Sequence, residues 1–163
     1  MLVSLPFSLY STFVVEEKHG FNKTTLGLFL KDKLLMILLL MVLGIPIFSI
    51  MIWVIRTSGK NFYFYVWMFL CAMSIVLMTI YPIYIAPLFN KYTKLESGDV
   101  YEAIKELAMQ VNFPLTQLYV VDGSKRSAHS NAYFYGFFKN KRIVLYDTLL
   151  EQVDISEVKA ILG

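Results

Sequence analysis

The 163 residues are 57% hydrophobic and only 17% charged, far from the balance of an ordinary soluble domain. The formal charge of +3 arises entirely from residues 1–88, where six Lys and Arg meet three Asp and Glu; residues 89–163 carry nine of each. A neutral C-terminal part without a basic stripe argues against nucleic acid as a partner, and a single cysteine, Cys71, excludes a disulfide framework or a Cys-based zinc site.

Along the chain, residues 1–15 are apolar but lack a basic n-region and carry Pro6 and three serines, so they read as the tail of a membrane span or an interfacial segment rather than a signal peptide. A polar stretch, EEKHGFN, follows at 16–22. Residues 34–55 then run for 22 positions without a charge, which at about 1.5 Å per residue crosses a hydrocarbon core of roughly 30 Å. Residues 62–85 do the same, so two transmembrane helices joined by RTSGKN at 56–61 are predicted, with Trp53, Tyr63, Tyr65, Tyr81 and Tyr84 near the interfaces. Lys18, Lys23, Lys31 and Lys33 before the first span and Lys91, Lys94 and Lys105 after the second outnumber Arg56 and Lys60 between them, which places both ends on the cytosolic side. Cys71, inside the second span, reads as a small apolar residue.

Beyond the Pro- and Gly-marked junction IAPLFNKYTKLESGD, Asp99 is a candidate N-cap for a helix to about Asn112, with Ile104, Leu107, Ala108 and Val111 on one face and Pro114 just past its end. TQLYVVD, 116–122, reads as a strand and GSKRSAHS as a polar loop. NAYFYGFF, 131–138, and RIVLYD, 142–147, read as an aromatic hairpin turning around Lys139, Asn140 and Lys141. At the end, Asp154 and Glu157 have capping-box spacing, and Val158, Ile161 and Leu162 form the apolar face of a helix that is barely two turns long. The expected organisation is therefore an N-terminal segment 1–33, a two-helix membrane hairpin 34–88 and a small α+β module 89–163 carrying a β-hairpin: part of an α-helical multi-span membrane protein, with the lipid bilayer as its surroundings.

Few residues invite chemistry. His19 and His129 lie 110 positions apart and offer no helical pair of zinc ligands; each reads more readily as a polar-loop residue. Glu16 and Glu17 are adjacent and would diverge on a helix. Ser124, Ser127 and Ser130 flank His129 without the strained elbow that presents a nucleophile. Lys125 and Arg126 read as a solvated loop, with anionic lipid headgroups as an alternative contact. The strand with Tyr133, Phe134, Tyr135, Phe137 and Phe138 carries aromatics on both faces, so it must be covered twice or lie at an edge, where its backbone could pair with an extended peptide.

The stretches LPFSLYSTFVVEEKHGFNKTTLG, IYIAPLFNKYTKL and FPLTQLYVVDGSKRSAHSNAYFYGFFKNKRIVLYDTLL resemble the type I CAAX prenyl proteases, membrane zinc metalloendopeptidases that trim prenylated proteins. The resemblance runs from about residue 5 to the end; Lys94 and Pro82 depart from it. It implies a fold of seven spans around an intramembrane chamber in the endoplasmic reticulum, with a cytosolic zinc domain. Residues 34–55 and 62–85 would be the fourth and fifth spans, and 1–15 the end of the third. It also implies that the sequon Asn22-Lys23-Thr24 is cytosolic and unmodified, and that the helix beginning SEVKAILG runs on into H-E-x-x-H, whose histidines bind zinc. This chain ends before that motif. No catalytic residue and no metal ligand is therefore expected within it, and zinc is a cofactor of the complete family member only. The transferable part is the substrate-facing strand: Asn131 for a side-chain contact and the backbone of Ala132, Tyr133, Phe134 and Tyr135 for pairing with a prenylated CAAX protein or peptide. Two readings remain: part of such a protease, inactive by itself, or a non-enzymatic membrane module that binds prenylated peptides or a partner protease. A two-span transporter subunit is weaker, because no intramembrane charge marks an ion path.

Overall fold

The computed structural model describes residues 3–137 and 139–163. Its contacts group the chain into two units: the residues up to Thr25 together with Asn90–Gly163, and Leu26–Phe89.

The Leu26–Phe89 unit is a helical hairpin. Helix α2 (Leu26–Leu39) and helix α3 (Ile45–Thr57) form one continuous rod, as do α4 (Phe62–Ile80) and α5 (Ala86–Phe89). The rods, Leu26–Thr57 and Gly59–Phe89, are 32 and 31 residues long and apolar enough to cross a membrane. The first is longer than the uncharged run because helical hydrogen bonding continues through Lys31, Asp32 and Lys33, with the Lys33 ammonium 5.0 Å from the Phe29 ring, and the second extends over Gly59–Asn61 before its run and Ala86–Phe89 after it. Each rod is interrupted by a wider π turn, at Leu40–Gly44 and at Tyr81–Ile85. Pro46 and Pro82, which cannot donate to the ladder, sit at these interruptions and explain the local slip in bonding. Ser49, Ser74 and Thr79 return their hydroxyls to carbonyls four residues back, so no polar side chain there demands a partner elsewhere.

The other unit is built on a four-stranded mixed sheet, order β1-β2-β4-β3. Its strands are β1 (Tyr92–Lys94), β2 (Leu115–Val121), β3 (Ala132–Phe137) and β4 (Asn140–Tyr146). β1 runs antiparallel to β2, β2 parallel to β4, and β3 antiparallel to β4. Helix α6 (Asp99–Gln110) and helix α8 (Ile155–Leu162) cover one face, with the short α7 (Asp147–Gln152) leading out of β4. Ile104 from α6, Leu118 from β2, Ile143 and Leu145 from β4, Leu149 from α7 and Val158 from α8 form the core. Lys159 of α8 also ion-pairs with Glu106 of α6 at 2.7 Å. The opposite face is aromatic: the Tyr92 and Tyr133 hydroxyls bond at 3.0 Å, and the Tyr133 and Tyr146 rings meet edge to face.

Several boundaries differ from expectation. Gly98, at φ +112°, is the N-cap of α6, and Asp99 is its first helical residue, since a glycine reaches that backbone region without strain. The helix ends with Asn112 left-handed at φ +53° and Phe113 N–H bonded back to the Ala108 carbonyl, a Schellman-type stop ahead of Pro114. The hairpin is tighter than the sequence suggests: Asn140 and Lys141 already belong to β4, and the expectation at Phe138 falls outside the described residues. Residues 5–16 are helical, as α1 (Leu5–Tyr10) and a following π turn. The capping box of α8 is formed, with Asp154 N–H donating to the Glu157 carboxylate at 2.9 Å.

Candidate functional site

Among the described residues β3 is the outer strand of the sheet and pairs only with β4. The phase of that pairing decides which peptide groups face outward. Tyr146 N–H donates to the Asn131 carbonyl at 3.0 Å, one step beyond the ladder that matches Tyr133 with Val144 and Tyr135 with Arg142. In an antiparallel pair the bonded positions alternate, so Tyr133 and Tyr135 spend their peptide groups on β4, while those of Ala132 and Phe134 point to the free edge. The sequence expectation named all four backbones; the geometry divides them two and two. Asn131 caps this edge, its Oδ1 accepting from Ala132 N–H at 2.8 Å.

The side chains of β3 divide the same way. Tyr133 and Tyr135 stand on the aromatic face, where burial and the bond from Tyr92 push the Tyr133 phenol well above its ordinary range. Phe134, on the helix face, is 64% exposed and meets the Phe113 ring edge to face at 5.7 Å. The Lys141 ammonium lies 4.8 Å from the Phe113 ring and 5.9 Å from that of Phe134. Beside Phe134 is an apolar groove of about 440 Å³, lined by Leu107 of α6, Val111 just past its end, Phe113, Ala132, and Ile161 of α8.

The loop between β2 and β3 is held from several directions. Asp122 accepts from Lys91 N–H and pairs with Lys125. Ser124 donates through both its amide and its hydroxyl to Asp147. Burial of Asp147 alone would raise its carboxyl, but the bonds from Ser124 and from Thr148 N–H outweigh it and hold the group below the usual carboxylate range. Thr148 Oγ1 donates to the His129 carbonyl at 3.0 Å, and Gln152 Nε2 to that of Ala128 at 3.0 Å. Arg126 bonds the Asn90 side chain. Lys125 and Arg126 are thus engaged within the protein rather than simply solvated.

Other candidates separate. Ser127 Oγ accepts from the backbone of His129 rather than from its ring, and Ser124 is committed to Asp147, so neither is paired with the imidazole. Glu17 takes the Asn22 side chain at 2.8 Å. Among the described residues no three His, Cys, Asp or Glu side chains come together as a metal site. Those residues by themselves do not offer the ligand set of a catalytic zinc.

Known proteins identify the class. Residues 94–163 match Peptidase family M48, so the sheet with its covering helices is part of a metallopeptidase domain. Residues 1–91 match the family described as CAAX prenyl protease N-terminal, five membrane helices. The chain belongs to the CAAX prenyl protease family, a multi-pass membrane family. It is 54% identical to the human CAAX prenyl protease 1 homolog over 94% of its own length and 32% of that protein's, and 58% identical to the rice homolog over 93% and 36%. The crystal structure of Ste24p from S. mikatae superposes with a TM-score of 0.95 at 46% identity, covering 99% of this chain and 38% of that one. The chain thus spans about a third of the length of the relatives it matches.

Proposed function

We infer that this chain supplies the substrate-holding strand and part of the membrane wall of a zinc metalloendopeptidase that processes prenylated CAAX proteins at the endoplasmic reticulum membrane, with the sheet on the cytosolic side. The observation that carries this reading is the free edge of β3. An extended peptide laid along it finds the Ala132 carbonyl and both Phe134 peptide groups unpaired by any neighbouring strand among the described residues, the Asn131 side chain at the start, and an apolar groove beside Phe134 suited to aliphatic residues. Asn131 Nδ2 is available to donate to a peptide carbonyl, while its Oδ1 holds the Ala132 amide. Zinc belongs to the complete family member, where it would activate water and polarise the scissile carbonyl; the residues here bind and orient the peptide for that chemistry. The prenyl chain would lie against the apolar surfaces of the two long helices, which leave large side chains such as Trp53, Trp67 and Phe48 exposed.

The test is Asn131→Ala in the full-length protein that carries this chain. Hydrolysis of a farnesylated CAAX peptide should fall at least tenfold with zinc content unchanged. Unaltered turnover would overturn the assignment of β3 as the peptide-holding strand.

A further inference from the structure

The polar stretch between the N-terminal helix and α2 is joined to the loop that delivers β3. Asn22 forms an isolated antiparallel bridge with Ser127. Ala128 N–H donates to the Phe21 carbonyl at 2.9 Å, and the Arg126 carbonyl accepts both Lys23 N–H at 3.1 Å and Thr24 Oγ1 at 2.9 Å. The Phe21 ring stacks on that of His129 at 4.2 Å between centroids and 24° between planes. Asn22 is itself fixed, its Oδ1 accepting from Thr24 N–H at 2.8 Å and its Nδ2 bound to Glu17. His129 is two residues before Asn131, and its carbonyl is tied to Thr148 at the start of α7. The segment immediately ahead of the peptide-holding strand is therefore gripped on one side by α7 and on the other by Phe21–Thr24, which continues at Leu26 into the first long helix.

We propose that Phe21 and His129 are positioning residues for the peptide-holding strand, and that Phe21–Thr24 acts as a clasp that sets where Asn131 and the free edge of β3 lie. This rests on the reading of β3 given above. The chemistry of the imidazole is not what matters; its flat ring is. An aromatic stack holds its partners in a fixed offset that aliphatic packing does not, so the clasp transmits orientation to residues 130–132 without touching substrate. The exposure of Phe21, 41%, fits this role better than a core role.

The experiment uses the full-length protein in detergent, with zinc content measured for each variant, and four substitutions: Asn131→Ala, Phe21→Ala, His129→Ala and His129→Phe. Phe21→Ala and His129→Ala should raise KM for a farnesylated peptide by roughly two- to tenfold, the scale of one lost aromatic stack, with kcat and zinc little changed. Both should speed hydrogen exchange at Ala132 N–H, which Asn131 Oδ1 holds, and at Tyr146 N–H, which the Asn131 carbonyl holds. His129→Phe, which keeps a flat ring, should restore KM and protection. If Asn131→Ala impairs hydrolysis but Phe21→Ala and His129→Ala leave KM and these amides unchanged, the clasp is refuted while the strand reading stands. If His129→Phe behaves like His129→Ala, stacking is not the cause and the proposal is also refuted. If Asn131→Ala itself has no effect, the strand reading fails, and the clasp fails with it.

Discussion

Two glycines with similar backbones allow a direct test of what the β3–β4 hairpin tolerates. Gly98 has φ +112° and Gly136 φ +123°, so alanine at either position is strained by about 1–3 kcal/mol. Their surroundings differ. A methyl group at Gly98 would meet nothing within 4 Å, whereas at Gly136 it would lie 2.0 Å from the Asn140 carbonyl oxygen, 3.0 Å from its carbon and 3.1 Å from Lys141 Cα. All three are backbone atoms of the paired strand and cannot rotate away, so the hairpin must open by more than 1 Å at its tip. Losing two ladder bonds there adds about 1–3 kcal/mol, for a total of about 2–6 kcal/mol in a protein whose stability is of the order of 5–15 kcal/mol. Hydrogen exchange read by mass spectrometry on the full chain in detergent micelles should show Gly136→Ala losing protection throughout Ala132–Tyr146 while α6 keeps most of its own. Gly98→Ala should lower the melting temperature by a few degrees and leave the hairpin protected. Equal effects of the two substitutions, or a protected hairpin in Gly136→Ala, would refute the steric argument.

Other expectations follow from the core and from two half-buried polar groups. Leu145→Ala, at a fully buried position between α6, α7 and β2, should cost about 2–5 kcal/mol in denaturant unfolding. Asp147 has its carboxyl held low in the folded state, so the stability it contributes is complete above the ordinary carboxylate pKa of about 4 and is lost as pH falls through the lowered folded value. Asp147→Asn should therefore flatten the acid limb of a melting-temperature profile and cost about 1 kcal/mol at neutral pH. Tyr133 has its phenol pushed up, so its contribution is complete below an unfolded pKa of about 10 and declines as pH rises above that. Tyr133→Phe should make the alkaline limb shallower, and a limb as steep as before would show that another group governs it.

The parts legible in the sequence were those with a local signature. Two long charge-free runs announced the membrane helices, because the bilayer imposes length directly on composition. Asp154 and Glu157 announced α8, because a capping box is complete within four residues. The hairpin could be read from its run of aromatics and tight turn, though the matching of Gly136 with Lys141 that fixes its register could not. β1 and α7 went unread: three residues and six residues are too short for any period to show. The start of the first long helix was hidden by Lys31, Asp32 and Lys33, which break the hydropathy run without breaking the helix. At the candidate site, the strand was legible in its aromatic run and Asn131 was named only through family resemblance, while the alternation that points the Ala132 and Phe134 peptide groups to the sheet edge was not legible. The Phe21–His129 contact was beyond sequence reasoning altogether, since its two halves lie in segments that composition alone places apart.

The bond from Thr24 to Arg126 joins residues 102 positions apart in the chain. At synthesis rates of about 5–20 residues per second, roughly 5–20 seconds pass between the appearance of one end and the other. Throughout that interval the Asn22 bridge has no Ser127 to meet, and the Thr24 hydroxyl has no carbonyl of residue 126 to bond. The first long helix has by then been made, and the second as well. The clasp therefore closes only after both long helices have been made, and a chain halted before residue 126 still lacks the carbonyl that takes the Thr24 hydroxyl.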